Sequence, residues 1–425
     1  MTIALVVLFL SVILLRQKRK GKLPPGPRAL PVLGNLHQLD TKDLVKSLKK
    51  LSNIYGPVFT IHLGPQPNVV LYGYKAVKEA LVEQADSFSG RGDFPAVHRF
   101  TQGNGIAFSN GEKWKILRRF ALVTLRNFGM GKRSVEERIQ EEAQFLLEEF
   151  RNTNKKPIDV TFFFSRAVSN VICSIVFGKR FEYGDKKFLT LLELINDNFQ
   201  IFSSGWGKEQ GNPVSNFNME TLVMTTLNLF FGGTETVSTT LRYGILILMK
   251  YPDVTEKVHK EIDKVVGRNR CPTVEDRSKM PYTDAVIHEI QRFTSIIPLS
   301  LPHSVVCDTH FRGYMLPKGT NVIPVLTSVH GDPEKFKEPH TFNPENFLDE
   351  QNRFKNNDAF MPFSTGKRIC LGEGLARMEL FIFFTTLLQN LKFKPTVHPD
   401  LIDLTPKFSG VGNVPPTYQL TAVLR

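Results

Sequence analysis

Residues 363–372 read Phe-Ser-Thr-Gly-Lys-Arg-Ile-Cys-Leu-Gly, and the reading of the chain turns on them. A lone cysteine is most often a small buried hydrophobe. The neighbours of Cys370 point elsewhere. Gly366 permits a tight backbone turn, and Gly372 lets the helix that follows come close to another group. A helical apolar period runs from 371 to 389, so Cys370 sits where a helix begins and where amide donors and the helix dipole favour a thiolate. Arg368 carries a fork suited to a carboxylate, and Phe363 shields one side of the sulfur. The arrangement holds a thiolate against a flat cofactor.

Working outward, Gly232-Gly233-Thr234-Glu235-Thr236 falls inside a long helical pattern over 218–250. Each glycine costs a helix interior about 1 kcal/mol relative to alanine. Either they admit a small ligand against the backbone, with Thr236 and Glu235 passing protons through a hydroxyl and water, or they mark a close helix–helix contact. Glu289 and Arg292 stand three apart, as do Glu148 and Arg151, and Glu350 and Arg353. The plain reading of such a pair is a surface ion pair of a few tenths of a kcal/mol. Trp114 and Arg118 share one helical face, offering an indole donor and a fork. Arg91 and His303, taken singly, read as surface ion-pair or capped-loop residues.

The run Phe-x-x-Gly-x-Arg-x-Cys-x-Gly resembles the haem-binding signature of the cytochrome P450 family, and the likeness extends over nearly the whole chain. Stretches such as LPPGPR, FSGRGD, MPYTDAVIHE and FMPFSTGKRICLGE are similar to its drug- and xenobiotic-metabolising family 2, and residues 196–201 and 232–234 to the F subfamily. The resemblance implies a mostly α prism with a small β domain. It implies haem b, with Cys370 as the iron ligand and with Phe363, Gly366, Arg368 and Gly372 shaping the loop. Arg91, Trp114, Arg118 and His303 join Arg368 on the haem propionates. Glu235 and Thr236 become the oxygen-activating pair, although Val237 stands where the family usually has a second hydroxyl. Glu289 and Arg292 become a structural lock, with Asn346 where the family often has arginine. Phe108, Phe231, Gly232, Ile297, Leu301 and Val411, together with Thr236, line the site of a small lipophilic, aromatic, xenobiotic-like substrate oxidised with O2. The resemblance also implies electrons from NADPH through NADPH–cytochrome P450 reductase, with cytochrome b5 as a second donor, and a basic face of Lys113, Lys115, Arg118, Arg119, Arg126, Lys132 and Arg133 suits such acidic partners.

Family members continue past a segment like 199–206 through two further helices and a long connection. Here a polar, Gly-rich break at 203–215 leads almost directly to the long helix. Several dozen residues of pocket roof, the F–G region, are absent by that comparison. The second reading is therefore a haem-binding but inactive isoform that competes for the reductase.

The bulk properties agree. The chain has 425 residues, 41% of them hydrophobic, enough for a large core in one or two domains. The net charge of +13 admits nucleic acid, an anionic membrane or an acidic partner. No zinc-finger, RNP-like or basic-zipper pattern supports nucleic acid. Four cysteines without a CxxC pair fit a reducing compartment. Residues 1–15 are uncharged and apolar, and bases at 16, 18, 19, 20 and 22 follow at once, which suits a membrane anchor with the body on the cytosolic face of the endoplasmic reticulum. At about 22 Å this helix is short for a core of about 30 Å, leaving open an uncleaved signal or a surface-lying helix. The expected organisation is an anchor over 1–15, a basic, Pro-rich spacer over 16–28 and a haem domain over 29–425. Helices are predicted over 75–84, 111–125, 134–152, 165–177, 187–201, 218–250, 255–266, 283–294 and 371–389, and strands over 58–63 and 69–72.

Overall fold

A computed structural model describes residues 23–40, 42–92, 101–127, 133–203, 219–410 and 412–425. The anchor over 1–15, the basic flank to residue 22, the break beyond residue 203, Lys132 and Val411 lie outside the described residues. No helix among the described residues is long and apolar enough to cross a membrane.

Helices dominate. They run as α1 (Leu44–Tyr55), α2 (Tyr74–Lys78), α3 (Gly111–Asn127), α4 (Arg133–Asn152), α5 (Thr161–Val176), α6 (Lys186–Ser203), α7 (Met219–Lys250), α8 (Pro252–Val265), α9 (Pro281–Thr294), α10 (Leu326–His330) and α11 (Glu373–Asn390). Pro252 and Pro281 open α8 and α9, where a missing N–H leaves nothing unsatisfied. Apolar spacing alone starts these helices at 255 and 283, because a proline in the first turn carries no hydrophobic period. The helix expected over 75–84 divides at Lys78, and a wider turn continues through Glu83.

The 32 residues of α7 span about 48 Å at 1.5 Å per residue. This helix packs most closely on α5 and also touches α9 and α11. Every side of α11 between Leu380 and Leu388 is buried, as its all-round apolar sequence requires. A large helical core gathers α4, α5, α7, α9 and α11.

Short strands complete the body: β1 (Val58–Leu63), β2 (Gln66–Tyr72), β3 (Gly90–Arg91), β4 (Ile158–Asp159), β5 (His303–Ser304), β6 (Thr309–Phe311), β7 (Tyr314–Leu316), β8 (Asn321–Val325), β9 (Leu391–Pro395), β10 (Phe408–Ser409), β11 (Asn413–Val414) and β12 (Gln419–Leu424). The main sheet has the order β1-β2-β8-β5-β3, with β2 and β8 parallel. Its last pairing sets Arg91 opposite His303. The fold is mostly α with small sheets, as expected from the motifs.

The described part of the Pro-rich stretch is docked. Thr60 of β1 donates through N to the Pro25 carbonyl and through Oγ1 to the Pro24 carbonyl, both at 2.8 Å. A Cβ at Gly26 would lie 1.8 Å from the Thr60 carbonyl oxygen, so only glycine fits there.

Candidate active site

The Cys370 loop is built by backbone geometry. Ser364 and Gly366 take φ of 59° and 75°. A Cβ on Gly366 would fall 1.8 Å from the Leu81 carbonyl oxygen, so the turn against the β-domain side demands glycine. The Cys370 amide donates to the Phe363 carbonyl at 3.0 Å. Arg118 on α3 donates to the Ile369 carbonyl at 2.7 Å, tying that helix to the loop. The Cys370 side chain stays solvent-accessible in a recess of dense protein. Burial pushes the thiol up; the Gly372 amide, the Arg118 charge and the Glu373 amide pull it down, against the Glu373 carboxylate. Gly372 lies beside the sulfur. Among the described residues a Cβ there would meet Cys370 Sγ at 3.9 Å, an ordinary contact.

Around the recess lie three guanidiniums. Arg91 donates to the Ala107 carbonyl at 3.0 Å and the Leu301 carbonyl at 3.4 Å. Arg368 donates to the carbonyls of Ser89 at 2.7 Å and Ser109 at 2.9 Å and to Asn110 Oδ1 at 3.1 Å, and lies 3.7 Å over the Trp114 ring. Among the described residues no carboxylate pairs with Arg91, Arg118 or Arg368. Burial holds Arg91 down to about 10, with Arg118 adding to it, and holds Arg368 down to about 8, with Arg91 and Arg118 adding to it. A guanidinium does not shed its proton near neutrality; such depression measures positive charge that wants an anion. His303 Nδ1 faces the Phe88 carbonyl at 2.9 Å, so that nitrogen carries the hydrogen. Among the described residues its Nε2 is buried without a partner, as is Nη1 of Arg368. Burial and the charge of Arg91 hold His303 down to about 3. One thiol, three cations without a carboxylate among the described residues, a flat indole and the free Nη1 donor of Arg368 fit a planar iron cofactor bearing two carboxylates, and His303 Nε2 becomes a donor to one of them once that carboxylate draws a second proton onto the ring.

On α7 the two glycines separate. A Cβ at Gly233 would come within 2.6 Å of Ile172 on α5, so this one marks a close helix contact. Next to it, Thr234 and Ser169 share a buried hydrogen bond of 2.9 Å between the same helices. Gly232 is open, with none of the described residues near its would-be Cβ. Thr236 donates to the Gly232 carbonyl at 2.6 Å, which brings its hydroxyl to that open turn. Glu235 is 3% exposed, and burial pushes its carboxyl up to about 7 against the pull of Arg242. Val237 belongs to the core.

Glu289 and Arg292 form a fully buried fork, with contacts of 2.7 and 2.6 Å. The other guanidinium hydrogens reach the carbonyls of His330 and Pro339 at 2.8 Å and Thr341 at 3.3 Å. Glu289 also accepts from the Asn343 amide at 2.9 Å and, more weakly, from Asn346 at 3.5 Å. The look-alikes differ: Glu148–Arg151 is a surface pair, and Arg353 pairs with Asp349 instead of Glu350.

Phe108, Ile297 and Leu301 are half-buried and Gly232 is exposed. Phe231 is half-buried and packs partly on the helical core. On the basic face Lys113 is taken up by Asn104, Lys115 by Glu112 and Arg133 by Glu137, while Arg119 and Arg126 stay exposed. Sequence reasoning missed Asn110, whose Oδ1 accepts from the Arg91 amide at 2.6 Å and whose Nδ2 donates to the Arg91 carbonyl at 3.0 Å. It also missed Ser169. Neither carries a local signal.

Comparison with known proteins gives the family. The family described as Cytochrome P450 matches in two segments, residues 24–208 and 207–422. Cytochrome P450 2F3 of Capra hircus is 54% identical over 479 residues, covering 98% of each chain. Cytochrome P450 2G1 of Oryctolagus cuniculus is 52% identical over 469 residues (96% of this chain, 95% of the relative). Cytochrome P450 2F1 of Homo sapiens is 52% identical over 477 residues (98% and 96%). Each alignment is longer than the 425 residues of this chain. On matches running almost end to end, the chain belongs to the cytochrome P450 family of haem-dependent monooxygenases.

Proposed function

We propose that this chain holds haem b through Cys370, clamps its propionates with Arg91, Trp114, Arg118, His303 and Arg368, and oxidises small lipophilic aromatic compounds. The observation that carries the reading is the cluster of Arg91, Arg118 and Arg368, buried or half-buried around one cysteine without a carboxylate partner among the described residues. When bound, the haem iron supplies oxygen activation and insertion. The chain does the rest. Cys370 presents its sulfur beside the Gly372 and Glu373 amides, which favour the thiolate. Glu235, poised near neutrality, holds a proton beside Thr236, whose hydroxyl lies at the open Gly232 turn. Phe108, Phe231, Ile297, Leu301 and Val411 supply the apolar lining for substrate. NADPH–cytochrome P450 reductase, with cytochrome b5, delivers electrons. Arg119 and Arg126 support this, being exposed on the helix whose Trp114 and Arg118 serve the site. The apolar 1–15 segment and its basic flank support attachment to the endoplasmic reticulum membrane.

A second reading has its own support. The family match divides at 207–208, within the Gly-rich break, and the relatives align over more residues than this chain has. A chain without its F–G roof binds haem, turns nothing over and competes for the reductase. Full-length protein in vesicles with the reductase, NADPH and a small aromatic compound separates the two. Monooxygenation expects an oxygenated product that needs NADPH and disappears in Cys370→Ser. Haem-loaded protein that forms no product under those conditions supports the inactive reading.

A further inference from the structure

Behind the Cys370 loop runs a chain of charged groups that the proposed chemistry does not use. Arg377 on α11 grips Glu373 at 3.0 Å through Nε and 2.9 Å through Nη2, and its guanidinium lies 5.1 Å from the centre of the Phe363 ring. Its Nη1 is 2.8 Å from Nε2 of His288 on α9. Arginine only donates, so Nε2 accepts and Nδ1 carries the hydrogen. That hydrogen points to Asp284, whose carbonyl is 2.7 Å away and whose Oδ1 is 3.2 Å away. Arg277 holds the same carboxylate at 2.9 Å. The imidazole is buried among Phe354, Phe360 and Phe347, at ring distances of 4.6, 4.8 and 5.4 Å. Arginine, imidazole and carboxylate are thus each fixed from both sides.

Both ends of the Cys370 loop hang on Arg377. Phe363, seven residues before the cysteine, accepts the Cys370 amide on its carbonyl. Glu373, three residues after it, is the carboxylate whose charge opposes a thiolate. We infer that His288 and Arg377 are positioning residues for the thiolate: His288 holds Arg377 so that it seats Phe363 and neutralises Glu373 on the two sides of Cys370. This rests on Cys370 being the haem ligand. It assigns α9 a second task beside the Glu289–Arg292 lock, carried by the residue immediately before Glu289.

Two substitutions separate acceptor from filler. His288→Asn keeps an amide where Nδ1 stands, near Asp284, and loses the acceptor toward Arg377. His288→Gln places its Oε1 where Nε2 stands and keeps that acceptor. The readout is the rate at which the reduced, carbon-monoxide-bound full-length protein converts from the red-shifted thiolate band to the histidine-like band. Losing one charge-assisted hydrogen bond speeds the conversion about tenfold in His288→Asn, while His288→Gln stays within about threefold of the unmodified chain. An Asn variant as durable as the unmodified chain overturns the inference. So do Asn and Gln variants that decay equally fast or hold no thiolate band, because packing of the ring is then what matters. An unmodified chain lacking the thiolate band from the outset removes the Cys370 reading itself, a separate failure.

Discussion

Arg292 and Arg368 are both almost fully buried, at 2% and 4% exposure, yet their surroundings are opposite. Arg292 has a carboxylate fork and three backbone carbonyls, all from its own chain. Arg368 has carbonyls, an amide oxygen and an indole face, with Arg91 and Arg118 near enough to repel it. A buried ion pair persists only when both charges are satisfied. The lock meets that condition alone; in the proposed reading the clamp meets it when an anion arrives. Buried arginine therefore marks two different things, a finished internal joint and, on the proposed reading, a prepared binding site, and the presence of the carboxylate tells them apart.

The largest expected effect breaks the joint. Arg292→Ala leaves Glu289 buried without its partner and costs about 3–5 kcal/mol, which denaturant unfolding measures. A loss near 1 kcal/mol would place the pair with ordinary surface bridges.

Next comes the acid on α7, which sharpens the contrast because a carboxyl, unlike a guanidinium, can neutralise itself. Glu235 has its folded pKa raised to about 7 from 4.5. Its contribution to stability is full below about pH 4.5 and lost as pH rises through 7, a span of about 3 kcal/mol. Unfolding from pH 4 to 8 should show this loss in the parent chain and not in Glu235→Gln. Parallel profiles would mean that the carboxyl is already ionised in the fold.

Arg91→Met tests the clamp. Without haem the unfolding free energy should fall by about 1–2 kcal/mol at most, for the Ala107 and Leu301 carbonyls that lose a donor, because no carboxylate is orphaned among the described residues. Haem should bind about 10–100-fold more weakly, as transfer to a haem-scavenging protein reports. A haem-free loss as large as that of Arg292→Ala would erase the distinction between joint and site. Smallest of all, Arg151→Ala removes an exposed pair with the same spacing as the lock and should stay within about 0.5 kcal/mol.

What the sequence discloses follows from distance along the chain. Gly366, Arg368 and Cys370 lie within one loop, and the period over 371–389 lies beside them, so spacing exposes the candidate thiolate site. The long helix over 218–250 was legible because its pattern is local. Glu289–Arg292 has the same spacing as two surface sites, and only burial against His330, Pro339 and Thr341 distinguishes it. Gly232 and Gly233 look identical until Ile172 arrives from α5. Asn110 and Ser169 are ordinary polar residues whose partners lie 19 and 65 positions away, and His288 meets Arg377 across 89. Such contacts are made by the tertiary fold and leave no periodic trace.

The most direct test of the account is the carbon monoxide difference spectrum of the reduced, haem-supplied full-length chain. Thiolate ligation by Cys370 predicts a Soret band at the red-shifted thiolate position, absent in Cys370→Ser. A band at the histidine-like position, or an unchanged band in Cys370→Ser, would contradict it.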